Sequence, residues 1–181
     1  MSPEYLKSLS KFLSLVLRHK PEVVGIKLDE NGWADVDELI EGALDKGKEM
    51  DLPILEAIVA SDDKQRYSFN EDKTKIRANQ GHSVKVDLGL EPVKPPKILY
   101  HGTVERIVQS IMLKGIEPRS RNHVHLSEDV DTATDVGERR GDAMIFKVFS
   151  VAMYRDGFHF YQSANGVWLT DHVPNKYLDM L

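Results

Sequence analysis

A proline-rich segment at residues 91–97 divides the sequence into two halves with different periodicities. It holds three of the eight prolines in the chain, and proline favours extended, semi-rigid connections. Before it, apolar residues recur at helical spacings. After it, they form short runs typical of strands. We therefore expect a chain of the α+β class with two lobes, residues 1–91 and 98–181, joined by a linker at 92–97.

The first lobe is predicted to contain three helices and a β-hairpin. Asp35 is placed to cap the second helix, and Pro21 follows the end of the first. The predicted elements are helices over residues 5–17, 35–44 and 52–60 and strands over 66–69 and 74–77. Three helices followed by a hairpin predict a winged helix.

The second lobe alternates short strands with helices. Its predicted strands cover residues 98–100, 124–126, 143–151 and 167–169, and its predicted helices cover 104–114 and 129–136. Gly, Asn and Asp separate the apolar runs. This pattern is typical of a compact α+β lobe dominated by a sheet.

Charge and composition exclude several classes of protein. The net charge of −5 argues against indiscriminate nucleic-acid binding. Without cysteine a disulfide scaffold is excluded, and no apolar run approaches the roughly 18 residues of a membrane helix. The N-terminal sequence lacks the pattern of a secretory signal. We expect a cytoplasmic monomer without a membrane span.

Positive charge is concentrated in residues 64–85. This segment carries six basic and two acidic side chains, whereas residues 26–63 carry three basic and twelve acidic ones. Two interpretations are open, a solvated hairpin with ordinary surface charges and a surface that contacts a polyanion.

The common nucleotide and metal motifs are absent from the sequence. It contains no GxGxxG, GxxxxGK[ST] or HExxH pattern and no cysteine for a zinc site. His123 and His125 would share one face of a strand, which is the geometry of two metal ligands. Because no third ligand matches them, hydrogen-bonding roles are favoured and no metal is expected.

Several arginines are candidates for binding phosphate, because a guanidinium offers forked donors to its oxygens. Arg18 and His19 close the first helix, where capping of the helix dipole is a sufficient structural reason for them. For any single arginine a surface ion pair is the simplest explanation. The remaining candidates are Arg66, Arg77, Arg119 and Arg121.

Six motifs, in order, resemble signatures of the NAD-dependent RNA 2′-phosphotransferases. They are KFLSLVLRHKP at 11–21, GWA at 32–34, RANQGHS at 77–83, LYHGT at 99–103, HVHLS at 123–127 and NGVWLT at 165–170. The resemblance covers nearly the whole chain. It implies an N-terminal winged-helix lobe for RNA and a C-terminal lobe similar to ADP-ribosyltransferases for NAD.

The resemblance also implies a reaction. An internal 2′-phosphate of RNA, of the tRNA splice-junction type, is transferred to NAD, which is consumed as co-substrate. The products are RNA with a 2′-hydroxyl, nicotinamide and ADP-ribose 1″,2″-cyclic phosphate. The reaction passes through RNA-2′-phospho-ADP-ribose, and neither water nor a metal enters it.

Site residues follow from the same resemblance, in which Arg66 comes from a further match, KQRY at 64–67, and Arg121 from its position just ahead of HVHLS. The implied catalytic residues are Arg18, His19, Arg66 and Arg121, with Arg77 an alternative to Arg66 and Arg119 an alternative to Arg121. The implied NAD-binding residues are His101, Gly102, Thr103, His125 and Ser127. Without the resemblance, Gly102 would be interpreted as a tight turn and Ser127 as an end-of-strand hydroxyl.

One position departs from the toxin-like ADP-ribosyltransferases, where Val167 takes the place of a glutamate. A 2′-phosphomonoester is already about doubly charged at neutral pH. A carboxylate beside it would repel the substrate rather than activate it.

Two other functions are compatible with these motifs. The first is an NAD-dependent ADP-ribosyltransferase that caps terminal phosphates of nucleic acids. The second is a non-enzymatic winged-helix protein that senses NAD. Product analysis separates the first from the 2′-phosphotransferase, and nicotinamide release excludes the second.

Overall fold

Helices and antiparallel sheets occur in both halves of the chain, which confirms the predicted α+β class. The computed structural model describes residues 2–181 and separates into two units, Met1–Gly89 and Leu90–Leu181. Each unit has its own core of buried apolar side chains. Within residues 2–181 no helix is long and apolar enough to cross a membrane.

The first unit contains the three predicted helices and the predicted hairpin. Its helical elements are α1 (Pro3–Ser14), a π-helical turn (Leu15–His19), a 3-10 turn (Pro21–Val24), α2 (Val36–Asp45) and α3 (Leu52–Ser61). Its strands are β1 (Ala34–Asp35), β2 (Tyr67–Phe69) and β3 (Lys75–Ala78). They form one antiparallel sheet in the order β1-β3-β2. The short β1 was not predicted.

Side-chain caps explain where α2 and α3 begin. The Asp35 carboxylate accepts a hydrogen bond from the backbone N–H of Glu38 at 2.9 Å, which confirms the predicted cap. Asp51 accepts from the N–H of Ile54 at 3.0 Å in the same way. The helices and the sheet contribute to one core of buried apolar side chains, and each fully buried aliphatic side chain in it contributes about 1.5–3 kcal/mol.

The first helix does not end as a regular α-helix. Beyond Ser14 it continues as a π-helical turn, closed by a hydrogen bond of 2.8 Å from Lys20 N–H to the carbonyl of Leu15. This turn contains Arg18, which is only 9% exposed, and His19. A π turn widens the helix locally and is found frequently at functional sites.

The second unit contains two three-stranded antiparallel sheets. Its strands are β4 (Leu99–Val104), β5 (Val124–Leu126), β6 (Ala143–Val148), β7 (Phe160–Gln162), β8 (Trp168–Thr170) and β9 (Leu178–Met180). Its helices are α4 (Glu105–Lys114), α5 (Val130–Glu138), α6 (Ser150–Arg155) and a 3-10 turn (Asn175–Tyr177). The sheet orders are β4-β6-β9 and β5-β8-β7, and a bridge between Tyr100 and Ser127 connects β4 to the end of β5.

The strand predicted over residues 143–151 is too long. It ends at Val148, and α6 begins at Ser150. Phe149 N–H donates to the carbonyl of Tyr177 at 2.9 Å, and the Ser150 hydroxyl donates to the carbonyl of Pro96 at 2.7 Å. These bonds turn the chain out of the sheet, and the apolar run continues as a helix with Met153 in the core.

Gly102 lies within strand β4, so its interpretation as a tight turn is wrong. Helix α5 packs so closely on this strand that a Cβ at Gly102 would lie 1.7 Å from the backbone oxygen of Ala133 and 3.0 Å from the backbone nitrogen of Gly137. The missing side chain therefore sets the distance between β4 and α5. Arg139 and Arg140 follow directly after this helix.

Candidate functional site

The RANQGHS motif folds back onto the end of the first helix. The carbonyl of Arg18 accepts hydrogen bonds from the backbone N–H groups of Ser83 at 2.9 Å and Val84 at 3.3 Å. The Ser83 hydroxyl lies 2.7 Å from Nδ1 of His19. Arg18 also donates from Nη1 to the hydroxyl of Ser14 at 3.3 Å. Two predicted catalytic residues are thus held by backbone and side-chain bonds.

Gly81 allows the Arg18 guanidinium to lie against the backbone. It adopts a φ of +91°, and a Cβ there would lie 3.0 Å from Nε of Arg18. A larger residue would be strained in this conformation and would displace the guanidinium. The glycine of the RANQGHS motif is therefore required for the position of the Arg18 guanidinium.

His82 is a buried histidine next to this pair, with only 2% of its surface exposed. Burial, followed by the positive charges of Arg18, Arg77 and His19, lowers the pKa of His82 from 6.5 to about 4. Among residues 2–181 its Nε2 has no hydrogen-bond partner. His82 is therefore neutral at physiological pH and adds no charge to the cluster.

We expect this histidine to make the stability of the first unit depend on pH. Between about pH 6.5 and 4 the unfolded chain binds a proton at His82 that the folded chain does not, so the free energy of unfolding falls as the pH is lowered. The lowered pKa corresponds to a loss of about 3 kcal/mol in the free energy of unfolding, and this loss is complete near pH 4. Denaturation curves followed through NMR signals of the first unit measure it.

The matched variants are His82→Gln and His159→Gln, the latter at an exposed position of the second unit. His82→Gln should remove most of this pH dependence, whereas His159→Gln should retain it. An equally steep loss of stability in His82→Gln would assign the effect to other groups.

Arg66 is oriented by a carboxylate four residues earlier in the chain. Its Nη1 donates to Oδ1 of Asp62 at 2.6 Å, and its backbone N–H donates to Oδ2 of the same residue at 2.9 Å. The Asp62 side chain is 5% exposed and that of Arg66 is 33% exposed. The motif residue Asn79 secures the backbone on both sides, because its N–H donates to the carbonyl of Arg66 and its side-chain amide donates to the carbonyl of Gln65.

Arg77, the alternative to Arg66, is engaged in packing. Its guanidinium lies 4.4 Å from the centre of the Trp33 ring and donates to the carbonyl of Asn31 at 3.1 Å. Burial lowers its pKa below the ordinary arginine value. These contacts connect β3 to the loop before β1.

The positive hairpin is partly neutralised by its neighbours. Lys73 pairs with Glu56 at 2.7 Å and Lys75 with Asp29 at 3.8 Å. Both lysines are about half-exposed, so these ion pairs are weak. Each pair nevertheless places a carboxylate on the hairpin surface that the sequence indicated as a possible polyanion contact.

A cavity of about 460 Å³ lies in the second unit. Of the residues that line it, five are basic and one is acidic, Glu117. It brings together most of the residues that the motifs implied, namely His101, Gly102, Thr103, Arg121 and His125. Ser127 is not among the lining residues, and its backbone pairs with Tyr100.

Hydrogen bonds orient two histidines and an arginine in this cavity. Arg121 donates from Nη1 to Nδ1 of His125 at 2.9 Å, so in this contact His125 is an acceptor at Nδ1. Nδ1 of His101 lies 3.1 Å from the carbonyl of His125 and donates to it. Burial lowers the pKa of His101, although this hydrogen bond acts to raise it.

The cavity also contains cations that the sequence did not point to. Arg139 and Arg140 line it. The pKa of Arg121 is lowered mainly by burial and, to a smaller extent, by the positive charges of Arg139 and Arg140. Lys114 and Arg119 complete the basic set. This excess of positive charge suits a ligand with several phosphate groups.

His123 lies at the edge of the same cavity. Its Nε2 is 3.7 Å from Asp171, and its ring packs edge-on against Tyr161 at 5.7 Å. Across residues 2–181 no group of three or more His, Asp or Glu side chains is arranged to hold a metal ion. His123 and His125 each have a protein partner in the structure.

Comparison with known proteins agrees with the family resemblance of the six motifs. Residues 4–172 match the family model described as RNA 2′-phosphotransferase, Tpt1 / KptA family. The chain is 57% identical to a protein of Flavobacterium johnsoniae, covering 99% of this chain and 98% of the relative. It is 53% identical to a protein of Fusobacterium nucleatum, covering 94% and 96%. Both carry the name "Probable RNA 2'-phosphotransferase".

Proposed function

The chain belongs to the RNA 2′-phosphotransferase family, and from this premise we propose that it transfers an internal 2′-phosphate of RNA to NAD. The observation that carries the proposal is the Arg121–His125 pair in a cavity with five basic residues and one acidic residue. NAD and the RNA 2′-phosphate are both anions. The proposed products are RNA with a 2′-hydroxyl, nicotinamide and ADP-ribose 1″,2″-cyclic phosphate.

In the first step a phosphate oxygen of the RNA attacks the anomeric carbon of the nicotinamide ribose. The bond to nicotinamide breaks, and its electron pair neutralises the pyridinium ring, so nicotinamide leaves without a proton. Because the attacking phosphate is about doubly charged at neutral pH, it needs cations for positioning rather than a base for activation.

In the second step the 2″-hydroxyl of the same ribose attacks phosphorus. The bond to the RNA oxygen breaks, the 2″-hydroxyl loses a proton and the RNA 2′-oxygen gains one. We assign the stabilisation of the phosphate oxygens to Arg18, Arg66 and Arg121, because guanidinium groups can donate to more than one oxygen. We assign to His19 the donation of a hydrogen bond to the phosphate or the departing oxygen.

The local contacts favour Arg66 over Arg77 for this role. Asp62 holds one side of the Arg66 guanidinium, which leaves other donors of the fork for a phosphate. Arg77 is stacked on Trp33 and bonded to a backbone carbonyl. Arg121 is favoured over Arg119 because His125 orients it, whereas Arg119 is exposed and adopts a φ of +58°.

We assign NAD to the cavity of the second unit, with contacts from His101, Thr103 and His125. The cavity volume falls in the range of small-molecule sites. Gly102 contributes by letting α5 approach the strand, and Arg139 and Arg140 supply charge for the diphosphate. We assign RNA binding to the first unit, as a winged-helix lobe.

Incubation with NAD and a short RNA carrying one internal 2′-phosphate tests the proposal. We expect the RNA to lose its phosphate and nicotinamide and ADP-ribose 1″,2″-cyclic phosphate to appear in equal amounts, all resolved by mass. Two control RNAs of the same sequence are used, one with a terminal phosphate only and one with no added phosphate.

The controls distinguish the two other functions. ADP-ribose attached to the terminal phosphate, with the internal 2′-phosphate untouched, would replace the proposal with a capping activity. NAD binding without nicotinamide release from any RNA would indicate a sensor.

A further inference from the structure

We propose that Ser83 is a positioning residue that fixes the tautomer of His19 and thereby makes its Nε2 a hydrogen-bond donor. The inference rests on the proposed function for its consequence, because His19 is the histidine assigned to the transferred phosphate. Its structural basis is the distance of 2.7 Å between the Ser83 hydroxyl and Nδ1 of His19, two residues 64 positions apart in the chain.

The Ser83 hydroxyl has one hydrogen and two possible acceptors, Nδ1 of His19 and the carbonyl oxygen of Arg18. A carbonyl oxygen has two lone pairs, and that of Arg18 already accepts from the N–H groups of Ser83 at 2.9 Å and Val84 at 3.3 Å. The Ser83 hydroxyl is 3.5 Å from this oxygen but 2.7 Å from Nδ1 of His19. A bond at the longer distance is at the limit of a hydrogen bond. Nδ1 is thus the nearer of the two acceptors for the single hydroxyl hydrogen, and the proposed bond runs from the hydroxyl to Nδ1.

This direction of donation determines the chemistry of the neutral imidazole. A ring that accepts at Nδ1 carries its proton on Nε2. Nε2 then offers a hydrogen to a phosphate oxygen, and in this state it does not remove a proton from a ribose hydroxyl. When His19 is protonated on both nitrogens, the same hydroxyl accepts from Nδ1, so the ring keeps its place in both charge states.

The surrounding backbone shows that this contact is built into the fold. Ser83 follows the buried His82 and the positive-φ Gly81, whose α-carbon faces the Arg18 guanidinium. The two backbone bonds to Arg18 fix the position of the Ser83 main chain. The hydroxyl of an exposed serine is thereby held against one atom of a catalytic candidate.

Nitrogen NMR of the protein labelled in its histidines tests the tautomer directly, without substrate. Spectra are recorded about two pH units above the ordinary histidine pKa, and the His19 signals are identified by their loss in His19→Gln. We expect the Nε2–H form in the parent and in Ser83→Thr, and a mixture of both forms in Ser83→Ala. The Nδ1–H form in the parent, or the parent spectrum in Ser83→Ala, would overturn the inference.

Activity provides the second measurement. Ser83→Ala should slow release of the RNA 2′-hydroxyl in a single turnover by about tenfold to a hundredfold, as expected for a misplaced catalytic group, and leave the KM for NAD unchanged. Ser83→Thr should recover most of the rate, and Ser61→Ala, an exposed serine at the end of α3, should match the parent. Equal losses in Ser83→Thr and Ser83→Ala would contradict a role for the hydroxyl.

The two measurements separate this inference from the proposed function. An inactive parent with the Nε2–H form would reject the proposed function and keep the tautomer assignment. An active parent with the Nδ1–H form would do the reverse.

Discussion

Replacing Arg121 with alanine is expected to make RNA-2′-phospho-ADP-ribose accumulate, because the two steps of the proposed reaction depend unequally on this side chain. The departure of nicotinamide passes through a state with positive charge on the ribose, which the negative phosphate of the substrate itself assists. The second step places more charge on a crowded phosphorus and must also protonate the departing RNA oxygen. It therefore depends more on cationic donors around the phosphate.

The expected slowing of the second step is about 10²–10³-fold, the loss measured when one preorganised oxyanion donor is removed. Rapid-quench sampling with products resolved by mass measures both steps in one experiment. Arg66→Ala and His19→Ala should behave in the same way, because both residues are assigned to the same phosphate. Arg155→Ala is the matched control, since this arginine ends α6 and does not line the cavity.

Equal slowing of both steps in the three variants, without accumulation of the intermediate, would contradict the assignment to the second step. Arg121→Lys adds a further distinction. It keeps the charge but loses the fork that donates to His125 while offering other N–H groups to a phosphate. We expect its rate to lie between those of the parent and Arg121→Ala.

Periodicity in the sequence predicted the elements that are long enough to show a period. Helices α1, α2 and α3 and the β2–β3 hairpin lie close to their predicted positions. The two- and three-residue strands β1, β7 and β9 were missed. The equally short β5 and β8 were predicted from their apolar runs between turn residues, since two or three residues show no alternation. The boundary between β6 and α6 is set by hydrogen bonds to Pro96 and Tyr177, which are distant in the chain.

The candidate site, too, was predicted only in part, because some of its contacts join residues that are distant in the chain. The family resemblance pointed to Arg18, His19, Arg66 and Arg121, but the groups that orient them could not be identified from local patterns. Asp62 belongs to the acidic segment 26–63, for which the sequence indicated no role, and in the structure its side chain is nearly buried against Arg66. Arg139 and Arg140 formed no recognisable motif, and the packing of α5 on β4 brings them to the cavity.

Gly102→Ala is expected to destabilise the second unit severely, because the new methyl group has no space. The added Cβ would lie 1.7 Å from the backbone oxygen of Ala133. A flexible side chain could rotate away from such a contact, but a helix backbone cannot, so β4 and α5 must separate. Overpacking of this kind reduces the free energy of unfolding by about 3 kcal/mol or more, which lowers the unfolding temperature by roughly 10 °C or more.

Thermal unfolding of the full chain, followed by NAD titration below the transition, measures both consequences. NAD affinity should fall as well, because Arg139 and Arg140 follow directly from the displaced helix and line the cavity assigned to NAD. Gly157→Ala is the matched control in the same unit. Its φ of +99° is unfavourable for alanine, but no atom of residues 2–181 outside its chain neighbours lies within 4 Å of the added Cβ, so we expect a loss of only about 1 kcal/mol. If Gly102→Ala unfolds and binds NAD as Gly157→Ala does, the close contact between β4 and α5 does not determine the geometry of the cavity.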